Sequence, residues 1–312
     1  MRKIGELEVA EVGLGCNNFG RKVDQDGTAA VIDAAQEAGV NLLDTADIYG
    51  GGQSETLLGH AIEGRRDQFV IATKFGMDMK GVGDLPDAPR GSAEYIRAAV
   101  DGSLERLGID VIDLYQYHQP DGQTPIDETL GALNELVERG IVRFIGCSNF
   151  SAEQLREAQE VAEREDYAAF VSLQNEYSLL KRGLEADVGP ECDRLGVAIL
   201  PFFPLASGLL TGKYRRGQDA PEGTRLHGRG SVADEATFDR LERMASFADE
   251  RGLEAIDVAI GGLLAQPAIA SVIAGATRPE QIRRNAQAGG WQPSPEDLEE
   301  LDAIFPPATD SI

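Results

Sequence analysis

Four ionisable side chains stand just after short apolar runs of this chain. Asp44 follows the run 41–43, with Tyr49 in the same loop, Lys74 follows 69–73, and His118 follows 111–117. Polar amides and hydroxyls take the same position further on: Ser148 and Asn149 come after 142–146, and Gln174 ends 170–174. A free tyrosine has a pKa near about 10, too high for an efficient acid at neutral pH. An ammonium from Lys74 would favour phenolate and lower that pKa. Asp44 could pair with Lys74 and keep it charged and oriented. His118 could donate a hydrogen bond to a carbonyl or share proton delivery. Such a group protonates an oxygen while something else supplies hydride. No side chain supplies hydride, so a nicotinamide is implied.

The elements that must position these residues alternate. Strands are predicted at 12–15, 41–43, 69–73, 111–117, 142–146, 170–174, 197–200 and 270–273. Helical patterns fall at 28–38, 54–62, 93–107, 125–139, 152–162, 188–195, 237–251, 279–288 and 295–304. Eight strands, mostly separated by helices, predict parallel βαβ units. Ser151 with Gln154 predicts a capping box, and Thr124-Pro125 and Ser294-Pro295 each place a cap before a proline. Gly39, Gly108, Gly140, Gly196 and Gly252 follow helical runs, where a left-handed residue is wanted. No linker divides the 312 residues, so one domain over 1–312 is expected, an α/β (β/α)8 TIM barrel. In such a barrel, catalytic groups sit where strands end and loops begin. The long loops 76–91 and 206–235 are expected on that face. The short N-terminus predicts a barrel without a hairpin at its bottom.

Composition narrows the function. The net charge of −24 disfavours nucleic acid and anionic membranes as partners. With neither a signal peptide nor an apolar run long enough to span a bilayer, a cytoplasmic protein is expected. Cys16, Cys147 and Cys192 are far apart and odd in number, and only three histidines are present, so neither disulfides nor a metal site is expected. Cys147 is a small buried residue rather than a redox thiol. The sequon Asn149-Phe-Ser151 lies beside the proposed site and is discounted. GxGxxG before a helix, GxxxxGK[ST] and GxSxG are lacking, which removes the Rossmann, P-loop and serine-hydrolase readings.

Five motifs in order resemble the aldo-keto reductase family, of the bacterial type related to channel beta-subunit-like and general stress reductases. They are Gly13-Leu-Gly15-Cys-Asn-Asn-Phe-Gly20, Asn41-Leu-Leu-Asp44-Thr-Ala-Asp-Ile-Tyr49-Gly, Ala72-Thr-Lys74-Phe, Asp113-Leu-Tyr-Gln-Tyr-His118 and Ile145-Gly-Cys-Ser148-Asn149-Phe. The resemblance runs from about residue 8 to 305. It implies the (β/α)8 barrel with an additional C-terminal helix and a long cofactor-covering loop, and the tetrad Asp44, Tyr49, Lys74 and His118. It also implies that Ser148, Asn149 and Gln174 hold the nicotinamide carboxamide and that Phe202 stacks on the ring. Gly15 and Asn17 belong to the same cofactor set, with Leu205, Ser207 and Lys213 near the pyrophosphate. Gly275, Thr277, Arg278, Gln281 and Asn285 match its segment for the adenosine 2′-phosphate. Arg283 and Arg284 fall in the same segment; the plainer reading is a solvated helix face paired with Glu280.

The resemblance favours NADP(H), while the lack of a basic residue at Gly275 or Thr277 leaves NAD(H) open. The expected reaction reduces an aldehyde or ketone to an alcohol, with Tyr49 as proton donor. The alternatives are a nicotinamide-sensing regulatory subunit with slow reductase activity, and a lyase or isomerase using Lys74 as a Schiff base. Asn18 and Phe19 are candidate substrate residues, with Trp291 a further candidate for the pocket. The partner is a small-molecule carbonyl compound; its identity and the oligomeric state are not readable from the sequence.

Overall fold

In the computed structural model the apolar alternation folds as strands and helices in turn. The structure describes residues 1–79, 85, 87–228 and 232–307. Parts of the loops expected at 76–91 and 206–235, and the end of the C-terminal tail, lie outside the described residues.

Eight parallel strands form the barrel wall: β3 (Val12–Gly15), β4 (Leu42–Asp44), β5 (Val70–Phe75), β6 (Ile112–Tyr117), β7 (Val142–Ser148), β8 (Phe170–Gln174), β9 (Ala198–Ile199) and β10 (Val272–Gly275). Each pairs with the next in chain order, and β10 returns to pair with β3, Gly275 opposite Gly15. Between β9 and β10 the ring closes through single parallel bridges, Ile199 to Ile269 and Phe202 to Ile273. The Ile273 amide donates to the Pro201 carbonyl there at 2.9 Å. The architecture is the expected (β/α)8 barrel.

Around the wall lie α1 (Gln25–Glu37), α2 (Gln53–Ile62), α3 (Ala93–Leu107), α4 (Ile126–Glu138), α5 (Ala152–Glu165), α6 (Val188–Leu195), α7 (Glu235–Glu250), α8 (Ala255–Leu264), α9 (Pro279–Ala288) and the C-terminal α10 (Pro295–Ile304). The Ser151 and Ser294 capping boxes form as expected, the latter with Asp297. The five glycines after helical runs all have positive φ. One start differs: Pro125 is itself the N-cap of α4, and the Thr124 hydroxyl donates to Asp121 at 2.7 Å. None of these helices is long and apolar enough to cross a membrane.

Two elements depart from the sequence reading. A hairpin of β1 (Arg2–Ile4) and β2 (Leu7–Val9) is present at the bottom of the barrel, contrary to expectation. Its Ile4, Leu7 and Val9 are buried among Leu42, Leu114, Leu200 and Ile273, so they plug the floor. Three-residue strands joined by a tight turn carry too little alternation to read. The second is α8, absent from the predicted helices. All but its first and third residues are buried, so it shows no polar face with helical period. Gly261 matters there, because a Cβ at that position would lie 2.7 Å from the Trp291 ring. Trp291 also packs edge-on to Phe247, with ring centroids 6.0 Å apart. It is thus helix-layer packing, not part of the barrel mouth.

Arg182 anchors the last helix. Its guanidinium is only 8% exposed and forks onto Glu185 (2.6 and 2.7 Å) while reaching Asp302 of α10 at 2.6 Å. A third contact goes to the Phe305 carbonyl. Removing one partner of such a buried pair costs about 3–5 kcal/mol. Arg182→Ala is therefore expected to lower the midpoint of chemical denaturation markedly, and an unchanged midpoint would show that the network is idle.

Candidate active site

The tetrad residues arrive from three neighbouring strands. Asp44 is the last residue of β4, Lys74 the penultimate residue of β5, and His118 follows β6 directly. Tyr49 lies in the loop after β4, where hydrogen bonds to the neighbouring strand hold the chain. The Thr45 amide donates to Ala72 O at 2.8 Å and the Asp47 amide to Lys74 O at 3.1 Å. Gly50, Gly51 and Gly52 all have left-handed φ, at 62°, 66° and 92°. Only glycine adopts three such conformations in a row cheaply, and they turn the loop sharply from Tyr49 into α2.

The structure brings all four together. Lys74 is fully buried, and its ammonium donates to Asp44 Oδ2 at 2.6 Å and to Thr45 O at 2.9 Å. The same nitrogen stands 5.2 Å from the centre of the Tyr49 ring. His118 meets that ring edge-on, with centroids 5.8 Å apart.

Charge follows from this geometry. Burial alone would drive Lys74 towards the neutral amine, but Asp44 and Tyr49 outweigh it and its pKa is raised. A buried ammonium so firmly protonated is no nucleophile, which counts against the Schiff-base reading. Burial pushes the Tyr49 phenol up; Lys74 pulls it back down, with the expected sign but a smaller effect. The net direction corrects the sequence reading, and the phenol holds its proton at neutral pH. Burial first, then the Lys74 charge, pushes His118 down to about 3. His118 is therefore neutral across the physiological range.

One residue that sequence reasoning missed belongs here. Gln116 donates through Nε2 to Asp44 Oδ1 at 3.1 Å, beside the Gln174 amide at 2.9 Å. With Lys74 on Oδ2, Asp44 is bonded on both oxygens. The signal was the period of two: Gln116 and His118 share a face of β6.

The predicted cofactor residues lie at or after the C-terminal ends of β3, β7, β8, β9 and β10. Ser148 Oγ donates to Gln174 O at 2.7 Å, and Asn149 Nδ2 reaches His118 O at 3.0 Å and Ser148 Oγ at 3.1 Å. These bonds leave the side-chain carbonyls of Asn149 and Gln174 as acceptors. Phe202 follows β9 and contacts Phe203 edge-on. Beyond it, Phe203, Ala206 and Ser207 all have positive φ without being glycine. Such strained residues concentrate at functional sites. Leu205 precedes a short 3-10 turn over Ala206–Thr211 that contains Ser207. Lys213 curls back to where a Cβ on Gly208 would lie 2.8 Å from its Nζ.

At the seam of β3 and β10, a Cβ on Gly275 would lie 3.6 Å from Asn18 Nδ2 and 3.7 Å from Asn17 Oδ1 and Gly15 O. Asn18 thus shares the Asn17 side of the mouth. Phe19 has no exposed surface and packs with Leu14, Val23, Val31 and Ile32. It belongs to the packed interior and offers no surface to a substrate, contrary to expectation.

At α9, Gln281 Oε1 accepts from the Thr277 amide at 2.7 Å and from its hydroxyl at 3.0 Å. Asn285 is buried with its Nδ2 unpartnered. The three arginines diverge. Arg283 pairs with Glu37 of α1, and Arg284 with Glu254 and Asp257 at the start of α8, so the partner is not Glu280. Arg278, the N-cap residue, makes no ion pair among the described residues.

Elsewhere, an open cleft of about 880 Å³ lies at the opposite end of the barrel, lined by His60, Arg66, Asp113 and Arg143. Arg66 and Arg143 are both spent on Asp113, at 2.6 and 2.8 Å. Strand N-termini carry stability rather than chemistry in such barrels, so the site is assigned to the tetrad end. Cys16 and Cys147 are buried, and burial raises both thiols, so neither is a reactive thiolate.

A parallel barrel bearing an Asp–Lys pair, a tyrosine and a neutral histidine at its C-terminal mouth defines the class of enzyme. The family model for the aldo/keto reductase family matches residues 11–305, and the chain belongs to that family. It is an NAD(P)H-dependent oxidoreductase. It is 36% identical over 308 residues to the "Uncharacterized oxidoreductase YrpG" of Bacillus subtilis (strain 168), covering 96% of this chain and 93% of that one. It is also 36% identical to "Uncharacterized oxidoreductase YqkF" of the same organism, over 92% and 90% of the two chains. The "Probable voltage-gated potassium channel subunit beta" of Oryza sativa subsp. japonica is 33% identical, over 96% of this chain and 93% of the other.

Proposed function

We propose that the protein reduces an aldehyde or ketone to an alcohol with NADP(H), with Tyr49 as the proton donor. The observation that carries this reading is the buried Lys74–Asp44 pair set against the Tyr49 ring, with a neutral His118 edge-on to the same ring.

The bound cofactor supplies a hydride to the carbonyl carbon. Charge then develops on the carbonyl oxygen, and Tyr49 transfers its phenolic proton there. Lys74 stabilises the phenolate left behind. Asp44, held by Gln116 and Gln174, keeps Lys74 charged and aimed. His118 is uncharged, so it orients the carbonyl by hydrogen bonding rather than by charge. The residues suit the cofactor: Asn149 and Gln174 offer acceptors for a carboxamide, and the unpartnered Asn285 Nδ2 is a donor for the adenine end. Turnover of NADPH with a panel of aldehydes and ketones tests the reading; no oxidation with any of them would count against it.

NADP(H) is favoured over NAD(H) because Arg278 is the arginine of its cluster not consumed by an ion pair. A charge-assisted contact to a 2′-phosphate is worth about 1.5–3 kcal/mol, or roughly 10- to 100-fold. Arg278→Ala is expected to raise KM for NADPH by that factor and leave KM for NADH nearly unchanged. Equal effects on both would mean that Arg278 reads no phosphate.

A second reading draws on the plant relative named as a channel subunit. In it the same site senses the nicotinamide state and turns over slowly. A kcat far below that of ordinary reductases, with tight cofactor binding, would favour it.

A further inference from the structure

Asp47, two residues before Tyr49, has no part in the chemistry above, yet its setting is unusual. The side chain has no exposed surface, and neither carboxylate oxygen has a hydrogen-bond partner. Its backbone amide bonds to Lys74 O at 3.1 Å, which fixes it where the Tyr49 loop meets β5. The ionisable groups that face it are Glu55 of α2, Arg106 and Tyr95 of α3, Lys74 of β5 and Tyr115 of β6.

None of these neutralises it. Arg106 Nε is bonded to Glu55 Oε2 at 2.7 Å, and the other Glu55 oxygen takes the Thr73 hydroxyl at 2.6 Å. Lys74 is bonded to Asp44 and Thr45. The Tyr115 hydroxyl is itself buried and unpartnered. An ionised carboxylate there would be a desolvated charge beside Glu55, against which the nearby Ile48 amide is the lesser influence, and proteins escape such an arrangement by retaining the proton.

We propose that Asp47 is a positioning residue that holds its proton in the resting enzyme, and that its ionisation in alkaline solution blunts Tyr49 through Lys74. A neutral Asp47 leaves Lys74 with one carboxylate partner, Asp44, so the remaining field of the ammonium acts on Tyr49. An ionised Asp47 places a second negative charge beside Lys74 and cancels part of that field. Tyr49 then becomes a weaker acid. Burial first, and then the Glu55 charge, push Asp47 from 3.8 up to about 8. The folded protein therefore keeps a proton that the unfolded chain releases. The contribution of this group to stability falls as pH rises from about 4 to about 8, and Asp47→Asn removes that contribution. The effect on Tyr49 rests on the reductase reading; the protonation of Asp47 does not.

The test is carbon-13 NMR of the full chain labelled at the aspartate side-chain carboxyls, titrated through neutral and alkaline pH. One aspartyl carboxyl is expected to titrate near the value given above and to vanish from the spectrum of Asp47→Asn, or of Asp47→Ser should the first variant fold poorly. If every aspartyl carboxyl of the wild type titrates in the acidic range, the proposal is overturned without any variant. In kinetics, wild-type kcat is expected to fall roughly three- to tenfold across the Asp47 titration, and Asp47→Asn to lose that limb. Superimposable profiles would overturn the link to Tyr49. Absence of all turnover beside an intact NMR titration would count against the reductase reading alone.

Discussion

Tyr49→Phe is expected to lower kcat by about 100- to 10,000-fold, the usual worth of a positioned proton donor. That corresponds to about 3–5.5 kcal/mol of barrier. The substitution removes one oxygen and keeps the ring 5.2 Å from the Lys74 nitrogen and 5.8 Å, centre to centre, from the His118 ring. No predicted cofactor residue bonds to the phenol, so the dissociation constant for NADPH should stay near the wild-type value. Fluorescence titration checks binding, and steady-state assays check turnover. A Phe variant with nearly full kcat would pass the role of acid to another group.

Lys74→Met should be the most damaging single change in the barrel. Asp44 would keep its two amide donors but lose the ammonium 2.6 Å away, leaving an uncompensated charge in the barrel interior. Breaking a buried pair in this way costs about 3–5 kcal/mol. Turnover should fall as well, because nothing then offsets the burial that raises the Tyr49 phenol. The double variant Lys74→Met/Asp44→Leu separates the two losses. Removing both charges should recover much of the stability and none of the activity. Denaturant unfolding gives the first quantity and single-turnover rates the second. If the double variant unfolds as easily as the single one, packing rather than charge dominates at this layer.

Much of this site was legible because it obeys a period. Asp44, Lys74 and His118 follow apolar runs at the same level of adjacent strands, and an eight-strand count places those ends at one mouth. Tyr49, whose loop position no period marks, is singled out by its place in the loop after Asp44, and the resemblance implies the same role. What stayed hidden was of three physical kinds. Gln116 sits inside an apolar-looking strand, so its inward direction appears only once the register is known. The helix over Ala255–Leu264 is buried nearly all round, so it lacks the polar face that announces a helix. The sign of the Tyr49 shift depends on how burial compares with the Lys74 charge, and sequence carries only the charge. Asp47 combines these difficulties. In sequence it is an ordinary loop aspartate; only the packing of α2, α3, β5 and β6 leaves it dry and unpartnered.

The arginines over 278–284 show the same limit at the surface. The resemblance implies a 2′-phosphate site in their segment, with a solvated helix face the plainer reading of Arg283 and Arg284. The helix face sends Arg283 and Arg284 to acidic neighbours and leaves only Arg278 available. Phe19 and Trp291, two aromatics near expected loops, went into packing instead.

Carbonyl reduction at this mouth would reveal itself in isotope transfer from the cofactor. The full-length protein is incubated with an aldehyde substrate and NADPH deuterated at C4 on either face, and the alcohol is examined by mass spectrometry and proton NMR. One deuterium is expected on the carbinol carbon from one face of the cofactor only, at a rate that collapses in Tyr49→Phe. Alcohol formed without deuterium from either face, or with equal transfer in the Phe variant, would contradict it.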